Sequence, residues 1–238
     1  MSSPMDALRP SSAPVRSYST SFEATETPIS EGGNWRNGRA EGIDWCDCVT
    51  SDGRVYGEVT RPGEKERRSE QGNLDEADAA PVGIYDDPTS VLSGDWGPDQ
   101  FVRATVFSRN QTNEYFQEVE IRLRTTIEAN SITGYEVFWR CLTTDEGYAE
   151  IVRWDGAIGT WKSLTRKTGA KFGVKDGDVV EACMVGNEIR GYINGVLVTS
   201  ATDDTYADGA PGVGFNFGVG TTNVDHGFTD FQADTYAR

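Results

Sequence analysis

EIRGYINGVLVTSATDDTYADGAPGVGFNFG, residues 188–218, decides the fold class of this chain, because it predicts two paired strands followed by a third. Apolar and small residues alternate up to Asn194-Gly195, the strongest two-residue signal for a type I′ hairpin turn, and the alternation resumes beyond it. After an acidic loop, the apolar residues of PGVGFNF (211–217) share one face of a further strand. The stretch therefore predicts antiparallel β structure.

The rest of the chain repeats this pattern at short intervals. The predicted strands are 19–24, 53–60, 81–85, 101–108, 117–128, 133–142, 147–154, 179–185, the hairpin at 188–200, 212–218 and 228–236. Abundant glycine and aromatic residues favour an all-β protein with many turns. We predict an all-β fold, a two-sheet antiparallel jelly-roll sandwich over residues 18–238. An extended N-terminal arm at 1–17 precedes it, and residues 30–98 form a long irregular, loop-rich insertion.

Charge and hydropathy limit the partners. The net charge is −16, whereas nucleic-acid binding needs a basic surface, so no nucleic-acid partner is expected. No apolar run approaches the roughly 18 residues of a membrane span. The first twenty residues also lack the apolar core of a secretory signal. We expect an extracellular protein whose signal has been removed, or one that leaves its cell by another route, such as on a virion surface.

Four cysteines leave the redox compartment open. Cys46, Cys48, Cys141 and Cys183 permit two disulfides, although the first two are too close to pair with each other in the ordinary way. A zinc site is disfavoured because it prefers Cys-x-x-Cys spacing, and His226 is the only histidine of the sequence. Buried free thiols are the favoured interpretation.

A short strand, Asn-Gly, a second strand, an Asp-rich loop and Gly-x-x-Gly-x-Gly-Phe follow one another here. This order resembles the back half of concanavalin A-like lectin and glucanase jelly rolls, particularly the laminin-G-like branch. The resemblance covers roughly residues 100–236. It implies a sandwich in which one outer sheet face forms a carbohydrate groove.

The strand QEVEIRLR, residues 117–124, carries the candidate groove chemistry. Its apolar side chains alternate with charged ones, so we expect the charged ones to lie opposite the core: Glu118, Glu120, Arg122 and Arg124. Neighbouring strands and a turn add further polar and aromatic side chains that suit sugar hydroxyls and sugar rings. The predicted carbohydrate-binding residues are Glu118, Glu120, Arg122, Glu136, Phe138, Arg140, Trp154 and Trp161. The alternative is a solvated face of compensating Glu/Arg pairs.

Enzymatic activity is not favoured. Laminarinase-type hydrolases carry Glu-x-Asp-x-x-Glu or Glu-x-Asp-x-Glu on such a strand, and here Arg122 or Leu123 stands in place of the second glutamate. Glu136 or Glu150 on neighbouring strands would have to replace it. The Gln-Ile-His triplet of jelly-roll alginate lyases is absent from the sequence.

We therefore expect a non-catalytic, lectin-like carbohydrate-binding protein. The alternatives are a jelly-roll glycoside hydrolase or polysaccharide lyase, and a structural or decoration protein of a virion or surface layer. The N-terminal arm suggests a homo-oligomer or larger assembly. The resemblance also implies a structural Ca²⁺ that pins the first strand to the last, with Glu23 and Asp230 as the matching ligands, and the loop around Asp203 and Asp204 is a second acidic cluster.

Overall fold

Strands dominate the part of the chain that the computed structural model describes, namely residues 5, 9–10, 13–38, 46–58, 87–129, 131–157, 159–217 and 223–236. They are β1 (Arg16–Thr20), β2 (Trp35–Asn37), β3 (Cys48–Ser51), β4 (Arg54–Gly57), β5 (Thr89–Leu92), β6 (Asp99–Ser108), β7 (Gln117–Glu128), β8 (Ser131–Arg140), β9 (Tyr148–Gly156), β10 (Trp161–Thr168), β11 (Val179–Val185), β12 (Glu188–Ile193), β13 (Val196–Thr202), β14 (Ala210–Phe217) and β15 (His226–Tyr236). Two short 3₁₀ helices, Ala170–Phe172 and Asn223–Asp225, connect them.

The strands form two antiparallel sheets. The back sheet has the order β13-β12-β11-β6-β15-β4-β3, and β1 pairs with β15 as its eighth strand. The front sheet has the order β10-β9-β8-β7-β14-β5-β2. The predicted all-β, two-sheet sandwich is therefore confirmed. In the described residues, no helix is long and apolar enough to cross a membrane.

The deciding stretch folds as predicted. Asn194 and Gly195 have φ values of 50° and 75°, the two positive values that a type I′ turn requires. They join β12 to β13, and β14 follows after the acidic loop. Two further strands, β7 and β11, have the predicted bounds.

The interior between the sheets is built from the predicted alternation. On β7, Val119, Ile121 and Leu123 are fully buried. Across the ladder, Val119 pairs with Trp139 and Ile121 with Val137, which are fully buried too. Each strand thus gives one face to the core and leaves its charged face for the outside of the front sheet.

Three expectations about strand positions were wrong in part. The first strand is Arg16–Thr20 rather than 19–24, because Phe22 is buried in a left-handed conformation (φ 53°) that ends the strand. Residues 30–98 contain three short strands that were not predicted, β2, β3 and β5. β10 was missed because Trp161–Thr168 is an edge strand of mostly exposed polar residues with no apolar alternation. The predicted strand 81–85 and the end of 53–60 lie outside the described residues.

Two residues of the N-terminal arm, Met5 and Arg9, pack on the outer face of the back sheet. Met5 is fully buried in a small cluster with Phe101, Cys183 and other side chains. Arg9 ion-pairs with Asp234 and lies over the Phe101 ring, 5.0 Å from its centroid. These two residues thus contact the sandwich of their own chain, and the use of the arm in an assembly stays a prediction.

The four cysteines are buried thiols that form no disulfide. Burial raises the pKa of the Cys141 and Cys183 thiols to about 12. The interpretation as buried thiols is confirmed.

Candidate functional site

The outer face of the front sheet carries a cluster of buried charges around one arginine. Glu120 and Arg122 are two residues apart on β7 and therefore project to the same side. The β7–β8 register places Glu136 directly opposite Arg122. Asp87, just before β5, completes what we call the Arg122 cluster.

The guanidinium group of Arg122 contacts all three carboxylates. Its Nη2 lies 2.6 Å from Asp87 Oδ1 and 3.0 Å from Glu120 Oε2, and its Nη1 lies 2.8 Å from Glu136 Oε2. The four residues are between 0 and 4% exposed. Three carboxylates whose oxygens lie within 4.8 Å of one another would also suit a metal ion, but here the guanidinium lies among them.

Burial in this cluster shifts two of the three carboxyl groups, those of Glu120 and Glu136, toward the protonated form. The loss of solvation raises the pKa of Glu136 to about 8, although the charge of Arg122 opposes the shift. It also raises the pKa of Glu120 well above the usual range, together with the charges of Asp87 and Glu136. Burial lowers the pKa of Arg122, but the three carboxylates outweigh this and raise it. One guanidinium therefore does not fully compensate its three partners.

A glycine makes room for the cluster. Gly214 on β14 pairs with Glu120, and a Cβ atom at Gly214 would lie 2.2 Å from Glu120 Oε2 and 2.9 Å from Arg122 Nε. Any side chain here would displace the charged groups.

A pocket of about 200 Å³ lies against this cluster. Its walls combine carboxylates, aromatic rings and a few other side chains: Asp87, Glu118, Glu120, Glu136, Glu150, Phe116, Phe138, Tyr148, Trp154, Trp161, Val152, Arg166 and Asn216. Aromatic surfaces with a few polar groups are typical of ligand sites. Trp161, 40% exposed, stands at the rim.

The remaining two glutamates of the pocket have their own partners. Glu118 accepts a hydrogen bond from the Tyr148 hydroxyl, yet burial still raises its pKa to about 7. Glu150 accepts hydrogen bonds from Ser163 Oγ at 2.6 Å and from Arg166 Nη1 at 2.8 Å. Polar groups of the pocket are therefore held in place by their neighbours.

Six of the eight predicted carbohydrate-binding residues line this one pocket: Glu118, Glu120, Glu136, Phe138, Trp154 and Trp161. Arg122 lies buried beside it within the cluster. Arg140 lies outside the lining, where it donates to the Tyr115 carbonyl at 3.1 Å and lies over the Phe116 ring. That these residues bind a sugar stays a prediction.

Two expectations about the charged face of β7 need correction. The interpretation as a solvated face is wrong, because Glu118, Glu120 and Arg122 are at most 4% exposed. Arg124 leaves the shared face at a bulge between Leu123 and Thr126, where it has a φ of 45°. Its guanidinium donates to the carbonyl oxygens of Pro98, Tyr206 and Gly186.

Seven pocket residues were not among the predicted carbohydrate-binding ones: Asp87, Phe116, Tyr148, Glu150, Val152, Arg166 and Asn216. Tyr148, Glu150 and Val152 alternate along β9, and Phe138 pairs with Glu150, so a register argument would have found them. Asp87 gives no such signal, because it follows the irregular stretch of the sequence.

The two predicted calcium ligands, Glu23 and Asp230, do not belong to any group of three possible metal-ligating side chains among the described residues. In the described residues, the only such cluster of possible metal ligands is Asp87, Glu120 and Glu136. Glu23 is exposed just beyond β1, and Asp230 accepts a hydrogen bond from the Thr105 amide at 3.0 Å. In the acidic loop around Asp203 and Asp204, Asp203 forms an ion pair with Arg153. Calcium binding stays a prediction.

A second, wider cleft of about 750 Å³ lies at the other end of the front sheet, beside β2 and β5. Its lining contains Trp35, Trp96 and three ionisable side chains, Arg36, Asp95 and Asp208. None of the predicted site residues lines it. The smaller pocket is therefore the one where the predicted chemistry converges.

Comparison with solved structures identifies the fold. A carbohydrate-binding module from Bacillus subtilis superposes with a TM-score of 0.51 at 12% identity, over 80% of this chain and 96% of that one. An endo-β-1,3-glucanase from Pyrococcus furiosus gives 0.52 at 10% identity, covering 92% and 94%. This is the concanavalin A-like jelly-roll fold. The β-glucanase of Bacillus licheniformis shares it too, with a TM-score of 0.50 at 11% identity over 95% of this chain and all of that one.

Comparison of the sequence with known families and curated proteins finds no relative. No family model matches the chain, and no curated protein matches it. At identities this low the structural likeness establishes the concanavalin A-like fold alone, and function has to come from the pocket.

Proposed function

We propose that this protein is a non-catalytic carbohydrate-binding protein that holds a sugar in the pocket on the outer face of the front sheet. The observation that carries the proposal is the buried guanidinium of Arg122. Leu123 faces the core, so Arg122 occupies the outer-face position where a hydrolase of this fold would need its second carboxylate. The strand thus provides hydrogen-bonding groups without the acid and nucleophile pair.

The pocket walls suit a sugar. Phe138, Tyr148 and Trp154 offer apolar faces, and Trp161 adds an exposed one at the rim. The surrounding carboxyl groups can accept hydrogen bonds from hydroxyls, and those that keep a proton can also donate. A volume of about 200 Å³ is below the roughly 300–1,000 Å³ of pockets for drug-sized ligands, so it suits a single sugar ring.

A glycan array, with a reducing-end assay on every glycan that binds, tests this proposal. We expect binding without release of new reducing ends, both with and without added calcium. Binding that needs calcium would instead support the predicted metal site. Silence on the array would contradict the proposal and favour a structural or decoration role.

Replacing Trp161 with alanine gives a site-directed version of the test. Loss of the rim ring is expected to weaken glycan binding about tenfold, since truncating an aromatic side chain that anchors a ligand costs more than about 1 kcal/mol. Leu197→Ala is the matched control, because Leu197 is 49% exposed on the β12–β13 hairpin and does not line the pocket. Equal affinities for both variants would place the ligand elsewhere.

Hydrolysis is the second candidate, and one observation favours it. Glu120 and Glu136 have carboxylate oxygens within 4.8 Å of each other, comparable to the roughly 5–5.5 Å separation in retaining glycosidases. The pKa of Glu136, raised to about 8 by burial, suits a general acid. New reducing ends that disappear in Glu136→Gln would establish this activity in place of simple binding.

A further inference from the structure

The pocket contains more carboxyl groups than guanidinium groups. Five carboxyl groups line it, whereas Arg166 is the only cation of the described residues in its lining. Arg166 already binds Glu150, and Arg122, beside the pocket, is shared among Asp87, Glu120 and Glu136. Glu118 has a neutral phenol, that of Tyr148, as its hydrogen-bond partner. The charges of Arg140 and Arg166 also act on Glu118 and lower its pKa. Five carboxyl groups therefore face three guanidinium groups, those of Arg122, Arg140 and Arg166.

Aromatic rings surround these carboxyl groups. The Phe138 and Tyr148 rings meet edge to face with centroids 6.2 Å apart, and Trp154 donates its indole N–H to Glu136. Rings next to carboxylates attract cations through both the ring face and the negative charge. The pocket already shows this behaviour, since Arg166 lies 3.7 Å from the centroid of the Tyr148 ring and Arg122 lies 5.6 Å from that of Trp154.

We propose that the sugar bound in this pocket carries a protonated amino group, whose ammonium lies against Glu120 and Glu136 while the sugar ring stacks on the aromatic walls. This inference rests on the proposed function, because it names the class of sugar for the same pocket. An ammonium group supplies the missing positive charge and three hydrogen-bond donors, and a hydroxyl supplies one donor and no charge.

The protonation of the pocket supports this choice. Without a ligand, burial raises the pKa of Glu118 to about 7 and that of Glu136 to about 8, because each negative charge lacks solvent and sufficient counter-charge. A nearby ammonium would favour the ionised carboxylates. An anionic sugar such as a uronate would bring a further carboxylate next to the carboxyl groups of the pocket, which disfavours binding. It is therefore expected to bind weakest.

Matched monosaccharides test the inference on the wild-type protein at pH 7 by calorimetric titration. Three pairs differ only in the C2 substituent: glucosamine and glucose, galactosamine and galactose, mannosamine and mannose. In each pair that binds, we expect the amino sugar to bind about tenfold more tightly, as for a charge-assisted hydrogen bond. Glucuronate should bind more weakly than glucose.

The outcomes separate this inference from the proposed function. If neutral sugars bind as tightly as their amino counterparts, or if glucuronate binds best, the inference is overturned and the carbohydrate site remains. If no sugar binds in the titrations or on the array, both the inference and the proposed function are contradicted.

A pair of variants locates the charge that matters. Glu136→Gln keeps the shape of the side chain and should remove most of the amino-sugar preference. Glu128→Gln is the matched control, because Glu128 is an exposed glutamate at the end of β7 and should keep the preference. Equal preference in both variants would contradict the placement against Glu136. If Glu136→Gln does not fold, the wild-type pairs still decide.

Discussion

Two clusters of charged side chains on the front sheet each combine one arginine with carboxylates, but the carboxyl pKa values shift in opposite directions. In the Arg122 cluster, one buried guanidinium meets three carboxylates, and burial raises the pKa of two of them, Glu120 and Glu136. In what we call the Arg153 cluster, Arg153 Nε lies 2.7 Å from Asp155 Oδ1 and its Nη1 lies 2.8 Å from Asp203 Oδ2. This second cluster lies near the surface, where it ties the loop after β13 to β9.

Solvent access explains the difference. In the Arg153 cluster, hydrogen bonding from Arg153 lowers the pKa of Asp155. Partial burial raises the pKa of Asp203, but hydrogen bonds from Tyr135, Thr205 and Arg153 outweigh it and bring it to about 2. These charges are partly exposed to solvent, whereas those of the Arg122 cluster are buried. The exposed cluster is thus an ordinary ion-pair network, and the buried one is an incompletely compensated site beside a pocket.

The largest expected effect comes from removing each arginine. Arg122→Met leaves three buried carboxylates without their cation, so we expect a loss of about 3–5 kcal/mol in the free energy of unfolding. Arg153→Met should cost about 1 kcal/mol or less, as is usual for solvated ion pairs. Urea denaturation measures both. Similar losses in the two variants would contradict the distinction between the clusters.

Gly214→Ala tests how tightly the Arg122 cluster is packed. The new methyl group would overlap Glu120 Oε2, so we expect a loss of about 1–3 kcal/mol, measured by urea denaturation. Glu120→Ala in the same protein should remove the overlap and recover part of that loss. Purely additive effects in the double-mutant cycle would show that the two residues do not meet.

The pH dependence of stability should also separate the clusters. The folded pKa of Glu136, about 8, exceeds its unfolded value of roughly 4.3, so its stabilising proton is present at low pH and lost as pH rises. Relative to Glu136→Gln, wild-type stability should therefore fall by on the order of 1 kcal/mol or more between pH 5 and 8.

Asp203→Asn is the matched control for this pH dependence. The pKa of Asp203 is depressed to about 2, so its contribution is present above roughly pH 3.9 and lost only as pH falls through 2. Between pH 5 and 8 the difference between the wild type and this variant should stay constant. A flat difference for Glu136→Gln would contradict its raised pKa.

The smallest expected effect concerns the neutral donor in the pocket. Tyr148→Phe removes the hydroxyl that hydrogen-bonds Glu118, so the pKa of Glu118 should rise further above 7, at a cost of about 1 kcal/mol in stability. Tyr135→Phe is the control, because it removes a donor from Asp203, whose pKa should rise from about 2 and stay well below 7. Carbon-13 NMR titration of the two carboxyl groups would show both shifts.

The sequence predicted those parts of the molecule in which local patterns determine structure. Asn194-Gly195 specifies its own turn, and the alternation of 117–124 specifies which side chains reach the core. β10 could not be predicted in this way, because its place at the sheet edge depends on pairing with β9 rather than on its own residues.

The sequence predicted on which face of the sheet the candidate site lies, but not that its residues are buried around a pocket. Period-two alternation placed Glu118, Glu120 and Arg122 on one side of the sheet. Their burial depends on neighbours that are distant in the sequence, such as Asp87 and Tyr148. The bulge that turns Arg124 away from this face also has no signal in the alternation, since it arises from the pairing of β7 with β8.

A crystal structure of the protein soaked with its tightest glycan from the array tests the central claim most directly. We predict one intact sugar ring in the pocket, stacked on an aromatic wall and within hydrogen-bonding distance of Glu120 or Glu136, with its glycosidic bond unbroken. A ligand bound only at another surface, or a cleaved product in the pocket, would contradict a non-catalytic carbohydrate site.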